Sequence, residues 1–252
     1  MGHLKNRRRE IDRYHAKHGL PRALSAHLEL FDRLYTEGDL AESRGALTDL
    51  NLALLDEAIA CSYSEVWCDG VKDLLVGWSS FAPGVLEQWV RDRTKDRNAM
   101  VRWHVVQITE AIQPDSLRDE VLRGALKDRS AKVREFATDR ILFGGHEHLL
   151  PALREAFALE TIESLRAWMA RTTALLADGY VMGKGTEDGR VDLEVLLPYG
   201  IHLTSLSTTE ASGKGAAQAA QRIRREYVRV HGKDRDASLS RDSAGRDQHA
   251  SG

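Results

Sequence analysis

The sequence predicts an all-α fold, a solenoid assembled from repeated helical hairpins. Three observations support this. The charged octapeptide KDRNAMVR at 95–102 returns as KDRSAKVR at 127–134, an offset of 32 residues, and the apolar positions around it repeat at the same step. Five prolines and 6% aromatic residues also suit helices better than a β-sandwich. A fixed period of this length is typical of solenoids, because one hairpin cannot bury its apolar face alone.

Each octapeptide separates two predicted helices, called helix A before it and helix B after it. Apolar residues four apart define one face of each helix. The aligned rows of helix A are Val85, Leu117, Leu149 and then Trp89, Val121, Leu153; those of helix B are Val101, Val133, Leu165 and then Val105, Ala137, Met169. The pattern predicts three hairpins over 84–178, the third of which lacks the Lys-Asp-Arg letters.

The flanking segments have weaker patterns. Residues 1–20 form a basic arm, and 21–83 read as N-terminal helices that cap the stack and include a possible degenerate repeat from Leu54 to Trp78. Residues 179–232 read as an irregular segment followed by a basic helix. Within that segment the alternating VDLEVLL at 191–197 fits a short strand or a short helix. The polar residues 233–252 are predicted to be disordered.

Charge is distributed unevenly along the chain. Residues 1–22 carry a net +5 and residues 213–252 a net +4, so the total of −2 leaves −11 for the 190 residues between them. Duplex nucleic acid requires a basic folded surface, since neutralised phosphates supply most of the affinity. We therefore expect the basic ends to be solvated tails, and nucleic acid to be a disfavoured partner.

The spacing of one acid and one arginine in the octapeptides resembles the HEAT-repeat family of armadillo-like α-solenoids. Asp96 precedes Arg102 by six residues, as Asp128 precedes Arg134, and a valine stands before each arginine. The resemblance covers 84–178, or 54–178 with the degenerate copy. It implies a right-handed solenoid in which these residues form a structural ladder between neighbouring repeats. The third copy keeps Arg166, but Glu160 stands at the aspartate position, which puts one rung in doubt.

No motif for catalysis or for a cofactor is complete. Gly213-Lys214-Gly215 lacks the upstream glycine and the Ser or Thr of a phosphate-binding loop. His146-Glu147-His148 offers two histidines without a visible third ligand, so both are expected to be solvated. The sequence therefore predicts no catalytic residues, no cofactor and no metal.

In a HEAT-like architecture the B helices line the concave face. The outward rows on these helices hold Trp103, Gln107, Glu135, Asp139 and Arg171, with Val106 and Thr138 between them. We predict a non-enzymatic interaction scaffold that binds a protein partner on this face. Trp103 is either a binding hot spot or a packing residue against the previous repeat, whose helix B carries Trp78.

One alternative is a HEAT-like DNA-binding protein or alkylbase DNA glycosylase that uses Trp103 and Asp139 in a groove. The acidic body of the chain and the lack of a basic stripe on the B helices disfavour it. No apolar run approaches the ~20 residues that span a bilayer, and the first residues lack the apolar centre of a signal peptide. The expected location is therefore the cytoplasm, with no membrane partner.

Overall fold

The computed structural model describes residues 3–20, 22–185, 188–198, 200–212 and 214–244, with side chains for these residues apart from 22, 23, 184 and 231–244. Helices make up most of this chain, as the sequence predicts, and a three-stranded sheet is added to them. The chain divides into two compact units, the first ending at Arg166 and the second beginning at Ala167. Each unit is described by itself.

The first unit is a succession of helices joined by short turns. Its N-terminal part holds α1 (His3–His18), α2 (Arg22–Ser25), α3 (Leu28–Arg44), α4 (Asp49–Ile59) and α5 (Val71–Trp78), the last preceded by a π-helical turn, Glu65–Gly70. Three helix–turn–helix segments follow in the chain, and we call them hairpins. They are α6 (Pro83–Arg93) and α7 (Ala99–Gln107), α8 (Asp115–Ala125) and α9 (Ala131–Phe143), and α10 (Leu150–Leu159) and α11 (Glu163–Asp178). The boundary between the two units falls within α11.

The apolar rows of the repeat are buried in these hairpins with one exception, Val85, which is 45% exposed. From helix A, Leu117, Val121 and Leu153 are buried, and from helix B, Val105 and Ala137 are fully buried. Turn residues end the helices where the sequence indicates. After α9, Gly145 has a φ of +68°, a backbone conformation that glycine adopts at little cost. Pro151 lies in the first turn of α10, where its missing N–H is tolerated.

The basic N-terminal arm is not a solvated tail, contrary to the expectation from charge. It forms α1, whose Leu4 is fully buried against α3 and α5. Leu4 occupies space left by two glycines, because a Cβ at Gly38 would lie 2.8 Å from its side chain and one at Gly77 would lie 3.3 Å away. Arg7 also donates to Asp73 at 3.0 Å. The segment is therefore a packed helix with a charged outer face.

The second unit contains an antiparallel meander of β1 (Tyr180–Gly185), β2 (Arg190–Leu197) and β3 (Gly200–Ser207). The alternation in β2 places Leu193 and Val195 in a core with small residues of α13 (Gly215–Ala244), namely Ala216, Ala219 and Ala220. The predicted alternation at 191–197 thus belongs to a strand. The neighbouring strands β1 and β3 are not predicted, because the sequence around 191–197 reads as an irregular segment.

The C-terminal segment differs from the prediction of disorder over 233–252. The helix α13 continues to Ala244, and residues 245–252 lie outside the described part of the chain. Between the sheet and α13 lies the short helix α12 (Thr208–Ala211), whose N-terminus is capped by Ser207 in a reciprocal arrangement with Glu210. In the described residues, no helix combines the length and the apolar character needed to cross a bilayer.

Candidate functional site

Arg102, the last residue of the first octapeptide, is buried and connects consecutive hairpins. Arg102 is 5% exposed, and its Nε and Nη2 atoms donate to the two carboxylate oxygens of Asp128 at 2.7 and 2.8 Å. Its Nη1 atom donates to the backbone carbonyl of Asp96 at 2.6 Å. One guanidinium therefore joins its own turn to the acid of the following turn, in the bidentate geometry that suits a carboxylate.

The second octapeptide repeats this arrangement with a glutamate. Arg134 donates to both oxygens of Glu160 at 2.7 and 2.9 Å, and to the carbonyl of Asp128 at 2.8 Å. Glu160 therefore pairs with the arginine of the preceding repeat, as an aspartate at this position would. Arg166 does not extend the series, because it is exposed over the ring of Phe157 and makes no ion pair with the residues that the structure describes. The expected ladder role of Arg166 is wrong.

Both acids of these pairs have lowered pKa values. Burial disfavours ionisation of Asp128, but the hydrogen bonds from Arg102 and from the backbone N–H of Ser130 more than offset it and hold the pKa below the usual range. The guanidinium of Arg134 and two backbone N–H groups lower the pKa of Glu160 in the same way. Both acids are thus ionised near neutral pH, and the arginines act as structural residues rather than as free ligand-binding groups.

A second set of side chains lies on or next to the B helices, and we call it the B-helix face. It comprises Lys72, Trp103, Gln107, Glu110, Lys132, Glu135, Asp139 and Arg140. Polar contacts cross it from hairpin to hairpin. Arg140 donates to Glu110 at 2.8 Å and to the side-chain oxygen of Gln107 at 2.7 Å, and Lys72 lies 3.6 Å from Glu110.

Trp103 is the centre of an aromatic cluster on this face. Its ring is half-buried and lies 5.6 Å from that of Trp67 and 5.2 Å from that of Phe136, measured between ring centroids. The Nζ atom of Lys132 stands 3.4 Å from the ring centroid, a close cation–π contact. The neighbour from the preceding segment is therefore Trp67, whereas Trp78 is fully buried and donates its N–H to the carbonyl of Gly38.

His104 supports this cluster from the interior. It stacks on Trp67 with ring centroids 4.0 Å apart, and its Nδ1–H donates to the carbonyl of Ile59 at 2.7 Å. Burial lowers the pKa of His104, with a smaller contribution in the same direction from the charge of Lys132. The side chain is therefore neutral at pH 7 and serves to position the two tryptophans.

The remaining residues of the predicted outward rows have different environments. Glu135 is exposed and Asp139 is half-buried, both on α9. Val106 and Thr138 are buried, which corrects their placement between the outward rows. Arg171 belongs to the second unit, where it donates to Glu194 of β2 at 2.6 Å. Arg171, which the sequence placed in the outward rows, is therefore not part of the B-helix face.

The sequence predicts that both histidines of the His146-Glu147-His148 turn are solvated and have no third ligand nearby. The structure differs on both points, because one histidine is buried and Asp119 lies next to the other. His146 is only 9% exposed, and the Nε2 atom of His148 lies 2.7 Å from Oδ2 of Asp119 on α8. Aspartate and histidine are 29 positions apart in the chain and meet because one hairpin stacks on the next. Sequence spacing within the turn gave no signal for this neighbour.

Four residues of the B-helix face are absent from the outward rows that the sequence predicts, namely Lys72, Glu110, Lys132 and Arg140. Lys132 lies one helical turn before Phe136, so a helical-wheel comparison with Trp103 on the neighbouring helix would have indicated its position. Arg140 aligns with an apolar residue, Ile108, in the preceding repeat, and no signal marked it.

Comparison of the chain with protein-family models, with curated proteins and with solved structures finds no match in any of the three.

Proposed function

We propose that this chain is a non-enzymatic, HEAT-like interaction scaffold that binds a protein partner through the B-helix face. The observation that carries the proposal is the half-buried Trp103 with Lys132 held over its ring, at the centre of a face that is otherwise polar. A partly accessible tryptophan surrounded by charged groups is typical of the centre of a protein interface. Arg102 and Arg134 take no part, because their donors are used between hairpins.

The charge on this face supports a protein partner over duplex nucleic acid. Its basic residues are Lys72, Lys132 and Arg140, and its acidic residues are Glu110, Glu135 and Asp139, so the two signs balance. Phosphate recognition would require an excess of basic groups. A partner of mixed charge, with an apolar or aromatic group for the Trp103 ring, fits the chemistry better.

A pair of charge swaps tests the proposal without changing the net charge. On the B-helix face, Lys132→Glu combined with Glu135→Lys exchanges two exposed groups on α9. The control exchanges Lys127 and Glu155, which pair with each other at 2.9 Å and are not part of this face. We expect a partner captured from the native host by the wild-type chain to be lost with the first swap and retained with the second. Equal retention by both variants would contradict use of this face.

The DNA-binding alternative is tested by a gel-shift assay with duplex DNA at several salt concentrations. Under the scaffold proposal, we expect no complex at low salt. Tight binding that falls steeply with salt would favour a DNA-binding protein or glycosylase, because phosphate contacts release counterions.

A further inference from the structure

Three side chains outside the B-helix face bring together the donor atoms of a metal site. Asp119 lies on α8, whereas His146 and His148 lie in the connection between α9 and α10. One oxygen or nitrogen donor from each residue lies within 4.8 Å of the other two. We propose that Asp119, His146 and His148 together bind one divalent transition-metal ion, for which zinc is the best match.

The donor set decides the class of ion. Two imidazole nitrogens and one carboxylate oxygen suit zinc and its neighbours in the first transition series, whereas calcium and magnesium prefer oxygen ligands alone. Three protein ligands leave one position of a tetrahedral zinc ion for water. His148 is the exposed member, so this position is on the solvent side.

The local backbone holds His146 in place for this role. Gly144 allows the close approach of its ring, because a Cβ at that position would lie 2.6 Å from Nε2 of His146. The imidazole of His146 makes no hydrogen bond to any residue in the described part of the chain. The Oδ1 atom of Asp119 is likewise buried with no hydrogen-bond partner among the described residues. Lone pairs that no hydrogen bond uses, on two of the three side chains, are expected of groups that bind a metal ion.

Only a small movement converts this cluster to a coordination geometry. Two ligand atoms on a tetrahedral zinc ion are about 3.3 Å apart, given bond lengths of about 2.0–2.1 Å. Asp119 and His148 are now joined at 2.7 Å by a hydrogen bond. Coordination of zinc by Nε2 of His148 would replace this hydrogen bond, because one nitrogen atom cannot hold a proton and a metal ion at the same time.

Two arginines near the cluster do not oppose the ion strongly. Arg118 is paired with Asp115 at 2.6 Å, so part of its charge is compensated. Arg123 lies 3.5 Å from Asp119, but its side chain is 52% exposed and is free to turn into solvent. A bound ion would connect α8 to the turn that begins the next hairpin.

Calorimetric titration of the full chain with zinc chloride tests the proposal, after removal of any affinity tag and dialysis against a chelator. We expect one ion per chain, with the affinity lowered at least about tenfold by each of Asp119→Asn, His146→Gln and His148→Ala. His18→Ala, an exposed histidine on α1, is the matched control and should bind as the wild type does. Magnesium chloride should give no saturable heat.

A thermal melt of each variant without metal identifies any that fail to fold. His148→Ala removes an exposed side chain and should melt as the wild type does. Zinc at 100 times the wild-type Kd should raise the Tm of the wild type by about 5–10 °C and that of His148→Ala by about half as much or less. The proposal is overturned if the wild type shows no saturable zinc binding, or if the affinity of folded His148→Ala stays within twofold of the wild type.

Discussion

Asp128→Ala is the sharpest test of how the hairpins are held together. The substitution removes the carboxylate that accepts two hydrogen bonds from Arg102 and one, at 2.7 Å, from the backbone N–H of Ser130. Arg102 is 5% exposed, so its Nε and Nη2 atoms would be left buried without an acceptor. Breaking a buried pair on one side costs about 3–5 kcal/mol.

The magnitude expected here is at the lower end of that range. Asp128 is 11% exposed, so water can reach part of the vacated space, and Nη1 of Arg102 keeps its bond to the carbonyl of Asp96. We expect a loss of about 3 kcal/mol in the free energy of unfolding, which for a protein of this size lowers the Tm by about 6–12 °C. Urea unfolding and calorimetry at pH 7 would measure the loss and the shift.

The chain provides its own control for this experiment. Asp96 stands at the same turn position one repeat earlier. It accepts from the backbone N–H of Asn98 at 2.7 Å and weakly from Arg93 of its own hairpin at 3.4 Å, but no arginine of a preceding repeat pairs with it among the described residues. Asp96→Ala should therefore cost only about 1 kcal/mol. If Asp96→Ala and Asp128→Ala cost the same within about 0.5 kcal/mol, the buried pair contributes nothing and the reasoning fails.

Four further predictions address other parts of the molecule. Glu160→Ala should destabilise the chain by about 3 kcal/mol in urea unfolding, since its side chain is 1% exposed and fully paired; a cost below about 1 kcal/mol would show that the second rung is dispensable. The pKa of His104 is lowered in the folded state, so its contribution to stability is complete above pH 6.5 and is lost as the pH falls through the lowered pKa. The free energy of unfolding, followed by urea titration from pH 7 downwards, should fall by up to about 1.4 kcal/mol per pH unit more than in a His104→Phe variant. Leu4→Ala should cost about 3 kcal/mol in the same assay, whereas a solvated arm would show no change. Gly179→Ala should cost at least about 1 kcal/mol, because φ is +77° and a Cβ would meet a guanidinium, while Gly84→Ala, where a Cβ meets nothing within 4 Å, should be neutral in calorimetry or stabilising.

The hairpins could be predicted from the sequence because their determinants are local. Residues four apart define a helix face within one segment, and a second copy 32 residues later identifies the same face again. Val105 and Ala137 are fully buried, as their place in the repeated rows requires. The strand β2 was an open alternative, and β1 was missed, because a sheet depends on pairing between segments that are separate in the sequence. Met182, for example, pairs with Leu193.

The candidate site was only partly predictable for the same reason. Trp103 and Glu135 could be placed on the outer side of their helices by periodicity. The ring of Trp103, however, is packed by Lys132 and Trp67, which come from different helical elements, and this depends on how the elements stack. Arg171 follows the same periodicity but is paired with a strand of the second unit, which the repeat does not include.

The sequence by itself determined the helical hairpins and the register of their buried rows, because helix formation and amphipathic periodicity are properties of short segments. Tertiary structure alone decided which charged groups meet. It paired Arg134 with Glu160 despite the change of residue type, folded the basic N-terminus onto the body through Leu4, and brought Asp119 to His148. The physical reason is that a hydrogen bond or ion pair requires approach within about 3 Å. Only the packing of one hairpin on the next brings such distant residues that close.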